Sequence, residues 1–316
     1  MSGKKMVICL GGNALEDGSG DATAEKQLEV IRKSITGIVD LVESGYEVVI
    51  SHGNGPQVGR IVLQNEVAKH ETPAMPLDIC GAMSQGMIGY HIEQALRNEF
   101  NRRGMSKDVA VLITQVIVDK EDKGFRDPSK PIGPFYDRAT ALELEKSKGY
   151  VLREDSGRGY RRVVASPMPV EIVEIEAIKE LIGKGFMVIA CGGGGVPLAR
   201  DLRGNIEGVS AVIDKDFASS RLAQDVGADV LIILTAVEKV SLNFGKSDEI
   251  LLGEVNTSEM EKYIDEGHFA AGSMLPKVQA GVEFVKSSEG RVAIITSLDK
   301  LGKDIENARD GTIIKG

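Results

Sequence analysis

The sequence predicts an α/β protein with a mainly parallel central sheet and helices on both of its faces. Short apolar runs of strand length alternate with helical patterns through most of the 316 residues, and no fixed-period repeat is visible. This alternation is typical of β-α-β units, in which each helix carries the chain back to begin the next parallel strand. The length suffices for a sizeable core. We therefore expect one large α/β domain or two fused lobes.

The predicted elements follow this alternation along the chain. An apolar run at 6–10 predicts the first strand, and apolar residues at spacings of three and four over 28–42 then predict a helix that Gly45 ends. The later elements are inferred from the same two patterns. Strands are predicted at 47–51, 109–114, 186–191, 230–235, 292–296 and 312–314, and helices at 78–103, 175–182, 215–224, 275–287 and shortly before the last strand.

One segment, residues 118–169, breaks the alternation. It mixes charged residues with glycine and proline and shows little helical or strand period before Tyr150. A segment of this kind inside a compact domain is usually a functional lid or a small inserted subdomain. A solvated loop without a role is the other interpretation, and composition alone does not separate the two.

Composition argues against several classes of partner. Lys and Arg number 38 against 47 Asp and Glu, so the formal net charge is −9, and we expect neither nucleic acid nor an anionic membrane to bind. The first residues match neither a signal peptide nor a membrane span. Cys9, Cys80 and Cys191 lack the spacing of metal ligands, which predicts reduced, mostly buried thiols in a cytoplasmic protein.

Three predicted strands end in glycine-rich turns. In an open α/β sheet, ligands collect at the carboxyl ends of the strands, where turn amides and helix N-termini attract anions. The three turns together predict an anionic ligand, although each alone could serve an ordinary strand-to-helix connection. The turns are Gly11-Gly12-Asn13-Ala14, His52-Gly53-Asn54-Gly55-Pro56 and Gly192-Gly193-Gly194-Gly195.

A nucleotide is the obvious anionic candidate, but the common nucleotide-binding motifs are absent. The P-loop pattern does not occur, and Gly11-Gly12-Asn13 does not continue as a dinucleotide-binding fingerprint. The motifs of the protein kinases are also missing. These three classes are therefore disfavoured.

Three lysines, Lys130, Lys215 and Lys277, lie among apolar or turn residues rather than on a charge-rich face. Each is a candidate for a partly desolvated cation with a specific partner. Three converging ammonium groups suit phosphoryl transfer, because its transition state spreads negative charge over several oxygens and needs mainly positioning and cations.

Two aspartates flank Lys215 where a helix is predicted to begin. Capping of that helix is one interpretation of both Asp214 and Asp216. The other is that one of them orients the lysines or reaches a Mg²⁺ ion carried by nucleotide phosphates. We assign the orienting role to Asp216.

With these residues in view, the chain resembles the amino acid kinase family over essentially its whole length. Within that family, the Lys-Pro-Ile-Gly-Pro-Phe segment at 130–135 resembles the carbamate kinase branch in particular. The segments that carry the resemblance are Leu-Gly-Gly-Asn-Ala at 10–14, Ser-His-Gly-Asn-Gly-Pro-Gln-Val-Gly at 51–59, Ser-Lys-Pro-Ile-Gly-Pro-Phe-Tyr at 129–136, Cys-Gly-Gly-Gly-Gly at 191–195, Ala-Val-Ile-Asp-Lys-Asp-Phe-Ala at 211–218 and Gly-Ser-Met-Leu-Pro-Lys-Val at 272–278.

This resemblance implies a fold and a reaction. The fold is a three-layer αβα sandwich in a homodimer, with a carbamate-binding or carbamoyl-phosphate-binding lobe at 1–212 that includes the lid at 118–169, and a nucleotide-binding lobe at 213–316. The reaction is a reversible phosphoryl transfer between ADP plus carbamoyl phosphate and ATP plus carbamate. It uses Mg²⁺ held through the nucleotide phosphates and commonly forms ATP at the end of arginine breakdown.

The resemblance also implies roles for individual residues. Lys130, Lys215 and Lys277 are implied to act on the phosphoryl group, with Asp216 holding the last two in position. The implied substrate-binding residues are Gly11, Gly12, Asn13, Gly53, Asn54 and Gly55, and the implied nucleotide-binding residues are Asp214, Thr235, Ala236, Val237, His268, Met274, Pro276 and Lys277.

Two alternatives remain open at this point. One is a member of the same family that phosphorylates an acidic amino acid or its acetylated form. The other is a module that binds nucleotide or carbamoyl phosphate without catalysis.

Overall fold

The computed structural model describes residues 3–15, 23–155, 157–302, 305 and 311–316. Its helices are α1 (Ala24–Glu43), α2 (Gly55–Ala68), α3 (Leu77–Arg102), α4 (Lys123–Arg126), α5 (Arg138–Lys148), α6 (Ile175–Gly183), α7 (Lys215–Asp225), α8 (Thr257–Asp265) and α9 (Met274–Lys286). Short 3₁₀ turns lie at Gly12–Ala14, Gly192–Gly194 and Leu298–Lys300. No helix among the described residues is both long and apolar enough to cross a lipid bilayer.

The strands of the described residues are short, and most of them are buried. They are β1 (Lys5–Leu10), β2 (Glu47–His52), β3 (Val109–Val111), β4 (Gln115–Ile117), β5 (Lys130–Tyr136), β6 (Val151–Glu154), β7 (Tyr160–Val164), β8 (Glu171–Ile172), β9 (Met187–Ile189), β10 (Val196–Arg200), β11 (Ile206–Gly208), β12 (Val230–Thr235), β13 (Ser241–Leu242), β14 (Ile250–Leu251), β15 (Glu254–Asn256), β16 (Val292–Ser297) and β17 (Thr312–Lys315).

The largest sheet in the described part of the chain has eight strands in the order β15-β17-β16-β12-β1-β2-β9-β3. Every neighbouring pair is parallel except β16 and β17. Smaller sheets have the orders β11-β10-β4-β8, β5-β7-β6 and β13-β14. The predicted α/β fold with a mainly parallel sheet is confirmed. The sheet continues across residue 212, since β1 pairs with β12, and the division into two lobes there stays a prediction.

The core lies on both faces of this sheet. In β1, Met6, Ile8 and Leu10 pack into a cluster with α1 and α3, whereas Val7 and Cys9 pack into a second cluster with α7 and α9. Alternate side chains of a strand point to opposite faces. A strand between two helical layers must therefore be apolar at every position, which is the continuous pattern that marks β1 in the sequence.

Most predicted elements are confirmed, with differences at the edges. The predicted strands at 109–114 and 186–191 are shorter, because the chain leaves the sheet after Val111 and Ile189. Sequence analysis missed α2, α4, α5 and α8. The helix predicted before the last strand falls largely outside the described residues.

The inserted segment has regular structure, although its sequence shows little periodicity before Tyr150. It forms the antiparallel sheet β5-β7-β6 together with α5. Only Ala141 of α5 is buried, so no apolar period marks this helix. Its end signals are nevertheless present in the sequence, since Asp137 accepts a hydrogen bond from the amide of Thr140 and Gly149 adopts φ +66°.

The inserted sheet packs on α2. A β-carbon at Gly59 of α2 would lie 2.2 Å from the backbone of Gly133 in β5, so glycine at 59 permits this close approach. Glu66, about two turns further along α2, accepts a hydrogen bond from Lys148 of α5 at 2.5 Å. The inserted segment is therefore attached to the helix that begins directly after the second glycine turn.

Candidate active site

The carboxyl ends of β1, β2 and β12 meet at one edge of the large sheet. Leu10 lies opposite His52 in the register of β1 and β2, and the amide of Gly53 donates to the carbonyl of Leu10 at 3.1 Å. A β-carbon at Gly11 would lie 2.6 Å from the carbonyl oxygen of Leu234 in β12. The first two glycine turns thus lie side by side, against the end of β12.

The N-terminus of α7 points toward these turns. Asp214 caps α7, because its carboxylate accepts a hydrogen bond from the amide of Asp216 at 2.9 Å. The side chain of Lys215 passes the second glycine turn, where a β-carbon at Gly53 would lie 2.9 Å from Cδ of the lysine. Glycine at 53 therefore leaves room for the Lys215 stem.

Asp216 joins the two lysines that the sequence places far apart. Its Oδ1 lies 2.5 Å from Nζ of Lys215, and its Oδ2 lies 2.8 Å from Nζ of Lys277. Asp216 is buried, with its side chain 4% exposed, and the side chains of Lys215 and Lys277 are mostly buried, at 14% and 13% exposed. Since a buried charge needs a partner, the single carboxylate stabilises two ammonium groups and leaves the cluster with a net positive charge.

The two lysines respond differently to this environment. Burial alone lowers the pKa of Lys215, but attraction by Asp216 outweighs it, so the pKa of Lys215 is raised. The pKa of Lys277 is lowered by burial and by repulsion from Lys215, which attraction by Asp216 offsets only in part. Burial acts to raise the pKa of Asp216, but the two ammonium groups outweigh it and hold that pKa below its ordinary value.

Cys9 lies beneath this cluster on β1. Its Sγ is 3.3 Å from Nζ of Lys215 and 3.5 Å from Oδ1 of Asp216. Burial raises the pKa of the Cys9 thiol, so the neutral S–H donates to the carboxylate while the sulfur accepts from the ammonium group. Cys9, Cys80 and Cys191 are all free and buried, as predicted.

Lys130 approaches from the inserted sheet. Its Nζ lies 2.6 Å from Oδ2 of Asp214, so the cap of α7 also carries an ion pair to β5. Lys130 and Lys215 line the same cavity. The three predicted lysines are thus arranged around the first turn of α7, two on Asp216 and one on Asp214.

Two cavities meet at Lys215. The larger has a volume of about 380 Å³, and the smaller of about 150 Å³. Gly12 and Lys215 line both. The larger is also lined by Gly53, Asn54, Gly55, Gln57, Lys130, Asp155, Arg158, Arg161 and Gly193, and the smaller also by Gly11, Leu234, Thr235, Ala236, Lys277 and Leu298.

The predicted binding residues divide between these cavities. The proposed substrate residues Gly12, Gly53, Asn54 and Gly55 line the larger one, and Gly11 lines the smaller one. The side chain of Asn13 lies outside the described part of the structure. Of the proposed nucleotide residues, Thr235, Ala236 and Lys277 line the smaller cavity.

The remaining proposed nucleotide residues are not among the described residues that line either cavity. Met274 packs partly buried against the core, and His268 Nε2 lies 3.3 Å from the carboxylate of Glu266. Asp214 is engaged by Lys130 and by the amide of Asp216. The other two residues of this set that line neither cavity are Val237 and Pro276.

The third glycine turn supports the second. All of its glycines are buried, and Gly193 is the one that lines the larger cavity. A β-carbon at Gly192 would lie 2.4 Å from Nε2 of His52, and one at Gly193 would lie 2.2 Å from Nδ2 of Asn54. The main role of this turn is therefore to hold the second turn in position, and its own amides are less available to a ligand.

His52 is buried between these turns. Its Nδ1 lies 2.8 Å from the carbonyl of Gly53, and burial lowers its pKa to about 4. The ring is therefore neutral near pH 7 and has a local hydrogen-bonding role.

Sequence analysis missed the charged residues that the inserted sheet adds to the larger cavity. These residues are Asp155, Arg158 and Arg161. The signal available in the sequence was a run of arginines, at 158, 161 and 162, beside two glycines. The sequence could not show which of these arginines faces the cavity.

Known proteins are similar to this chain over nearly its whole length. The amino acid kinase family model matches residues 4–296. A carbamate kinase of Clostridium perfringens is 52% identical and spans 98% of this chain and 100% of its own length, and one of Pyrococcus horikoshii is 51% identical and spans 96% of each. The structure of carbamate kinase from Giardia lamblia bound to AMP-PNP has a TM-score of 0.91 at 44% identity, covering 100% of this chain and 99% of the other.

The chain belongs to the amino acid kinase family. Its full-length identity to several carbamate kinases places it in that branch of the family, and it is accordingly a kinase.

Proposed function

We propose that the protein catalyses the reversible transfer of a phosphoryl group between carbamoyl phosphate plus ADP and carbamate plus ATP. The observation that carries this proposal is the Lys215–Asp216–Lys277 cluster at the meeting point of two cavities. One cavity has the size and the turn amides for a small acyl phosphate, and the other opens beside β12. A phosphoryl group that moves between the two passes Lys215, which lines both.

The charges of the cluster suit this chemistry. A phosphoryl group in flight carries negative charge on its peripheral oxygens, and preorganised cations stabilise that charge in a site from which water is excluded. Lys215 stays protonated because its pKa is raised. Carbamate is already ionised as an acceptor, so no general base is required, and neutral His52 need not act as one.

We assign roles by the position of each residue. Lys215 and Lys277 contact the migrating phosphoryl group, and Asp216 holds both ammonium groups in place. Lys130 reaches the larger cavity from the inserted sheet, which acts as the lid. The carbamoyl phosphate binds to amides of the first two glycine turns, and the nucleotide binds beside Thr235 and Ala236 and over the start of α9.

Mg²⁺ fits this site as an ion that the nucleotide brings. The described residues contain no group of three His, Cys, Asp or Glu side chains arranged to hold a metal ion. Both oxygens of Asp216 accept hydrogen bonds from lysines, so this carboxylate is committed to the ammonium groups. Mg²⁺ keeps several waters and binds readily to phosphate oxygens, and there it neutralises charge on the nucleotide.

We further propose that the enzyme works in the ATP-forming direction, as the last step of arginine breakdown in the cytoplasm. Carbamoyl phosphate is an acyl phosphate, and the transfer of its phosphoryl group to ADP is downhill in free energy. The three free, buried cysteines are in keeping with a reducing compartment.

A homodimer is part of the proposal. Large apolar side chains are exposed along α2 and α3, including Val67 at 73% and Tyr90 at 59%. An apolar face of this kind marks an interaction surface, and a second copy of the chain covers the same face on both partners in a two-fold dimer. Sedimentation equilibrium should give twice the 33.9 kDa of the chain, whereas a mass of one chain at micromolar concentration would contradict the dimer.

The reaction is tested by a coupled assay for ATP formed from ADP and carbamoyl phosphate, with and without Mg²⁺. We expect ATP formation that depends on Mg²⁺ and is much slower with acetyl phosphate as the control substrate. Acetylglutamate and aspartate, supplied with ATP, test the other members of the family. ATP formation with neither acyl phosphate, together with turnover of an acidic amino acid, would overturn the proposal.

A further inference from the structure

The lid contributes two arginines to the wall of the larger cavity. Arg158 and Arg161 line this cavity, and their guanidinium carbons lie 4.7 and 5.2 Å from the ring centroid of Phe135. A guanidinium group over an aromatic face is stabilised by the ring quadrupole. Phe135, itself 41% exposed, is therefore a platform that presents both groups toward the cavity.

One carboxylate bridges the two arginines. Oδ1 of Asp155 lies 3.2 Å from Arg158, and Oδ2 lies 3.3 Å from Arg161. Arg161 is additionally held through Nε, which donates to the carbonyl of Gly133 at 3.2 Å. The side chain of Arg161 is 15% exposed and that of Arg158 is 63% exposed, so Arg161 is the fixed member of the pair and Arg158 the one with room to reorient.

The charged side chains that line the larger cavity are mainly cationic. Among the described residues that line the cavity, four are cationic and one, Asp155, carries a carboxylate; the cationic residues are Lys130, Arg158, Arg161 and Lys215. The local charge is therefore opposite to the net charge of −9 of the whole chain. A guanidinium fork matches the oxygens of a phosphoryl or carboxylate group with two parallel hydrogen bonds.

We infer that Arg158 and Arg161 bind the phosphoryl oxygens of the acyl phosphate from the lid side of the cavity, and that Asp155 competes with the substrate for them. This inference rests on the proposed function and adds a second set of phosphate-binding cations to the lysines of α7 and α9. The arginines select the acyl phosphate and leave the nucleotide untouched, because they line the larger cavity and not the smaller one.

The test is steady-state kinetics of Arg158→Gln, Arg161→Gln and Asp155→Asn in the ATP-forming direction. Loss of a charge-assisted hydrogen bond should raise the KM for carbamoyl phosphate about tenfold or more in each arginine variant, with the KM for ADP near that of the unmodified enzyme. Asp155→Asn should lower the KM for carbamoyl phosphate, a gain that a purely structural role for Asp155 does not predict.

Arg153→Gln is the matched control. Arg153 lies on β6 of the same sheet, is 48% exposed and pairs with Asp127 away from the cavity. We expect its KM values to match those of the unmodified enzyme. Unchanged KM values in the Arg158 and Arg161 variants, or an equal rise in the KM for ADP, would refute the inference, as would an equal rise in the Arg153 variant.

A binding measurement separates this inference from the proposed function. Titration calorimetry with inorganic phosphate should show weaker binding to the Arg158 and Arg161 variants than to Arg153→Gln. If the unmodified enzyme forms no ATP from carbamoyl phosphate, the proposed reaction fails, and the phosphate titration still decides the role of the arginines. Equal phosphate affinity in all variants would overturn it.

Discussion

The two walls of the larger cavity carry their positive charge in different ways. On the wall formed by α7, Lys215 is 14% exposed and shares a buried carboxylate with Lys277. On the lid wall, Lys130 is 26% exposed and Arg158 is 63% exposed. The difference shows that two buried ammonium groups need a buried carboxylate between them, and that burial and mutual repulsion shift their pKa values. Cations near solvent are stabilised by water, so they need only be held in position.

Asp216→Asn should have the largest effect on this contrast, because it leaves two ammonium groups buried without their anion. Removing one partner of a buried ion pair costs about 3 to 5 kcal/mol of folding free energy. We expect this loss in urea unfolding, together with loss of activity. Asp155→Asn on the lid wall is the counterpart and should change the unfolding free energy little, since its partners are closer to solvent. Equal losses of unfolding free energy in the two variants would show that the buried and the solvent-near carboxylates do not differ in this way.

Lys215→Ala and Lys277→Ala should each lower kcat by about a hundredfold or more, the usual cost of removing a group that stabilises transition-state charge. Stability should suffer less than in the Asp216 variant, because one lysine still pairs with the carboxylate. Lys286→Ala is a control on α9, where Lys286 pairs with Glu261 at the surface. Normal turnover in both cluster variants would remove the basis for their assigned roles.

The pH dependence separates the two lysines. The lowered pKa of Lys277 means that its proton is lost below the ordinary lysine value of 10.5. Activity should therefore be constant at lower pH and fall as pH rises through this lowered pKa. From this group alone, folding stability should rise with pH over the same window, because the unfolded chain binds the proton more tightly.

Lys277→Arg sharpens that prediction, since arginine stays protonated at all accessible pH values. We expect its activity, even if reduced, to lose the alkaline decline that the lowered pKa of Lys277 places below the ordinary lysine value of 10.5. Lys286→Arg on the same helix should leave the decline unchanged. An alkaline decline that persists in Lys277→Arg would assign it to another group.

The smallest expected effect concerns the attachment of the lid. Gly59→Ala adds a β-carbon 2.2 Å from Gly133, so β5 must shift away from α2, and the KM for carbamoyl phosphate should rise severalfold. Alanine by itself favours a helix over glycine by about 1 kcal/mol. Gly81→Ala in α3, where nothing lies within 4 Å, is the control and should be neutral or slightly stabilising. A Gly59 variant that behaves like the Gly81 variant would show that the lid does not depend on this contact.

Much of the fold could be read from the sequence because its signals are local. Buried parallel strands such as β1 and β12 are continuous apolar runs, and α1 repeats its apolar residues every three or four positions. The helices that sequence analysis missed lack this signal. In α5 only Ala141 is buried, and α2 begins inside the second glycine turn.

The glycine turns and the lysines were recognisable in the candidate site, because each stands out from its neighbours in the chain. The sequence alone did not show that Lys215 and Lys277 share the carboxylate of Asp216. Asp216 could equally have been a helix cap, and the structure shows that Asp214 is the cap. Arg158 and Arg161 were missed because a run of arginines beside glycines has the same composition on a solvated face as on a cavity wall.

Local pattern was enough to establish the α/β class, the order of most elements and the residue types of the candidate site. Hydrophobic periodicity and turn chemistry act over a few residues, so one chain segment suffices to reveal them. The distances between Lys215, Asp216 and Lys277, the contact of Gly59 with Gly133 and the direction of the lid arginines depend on segments up to 74 residues apart that meet only in the folded chain. Those contacts follow from packing of the whole sheet and its helices, which no local stretch of sequence contains.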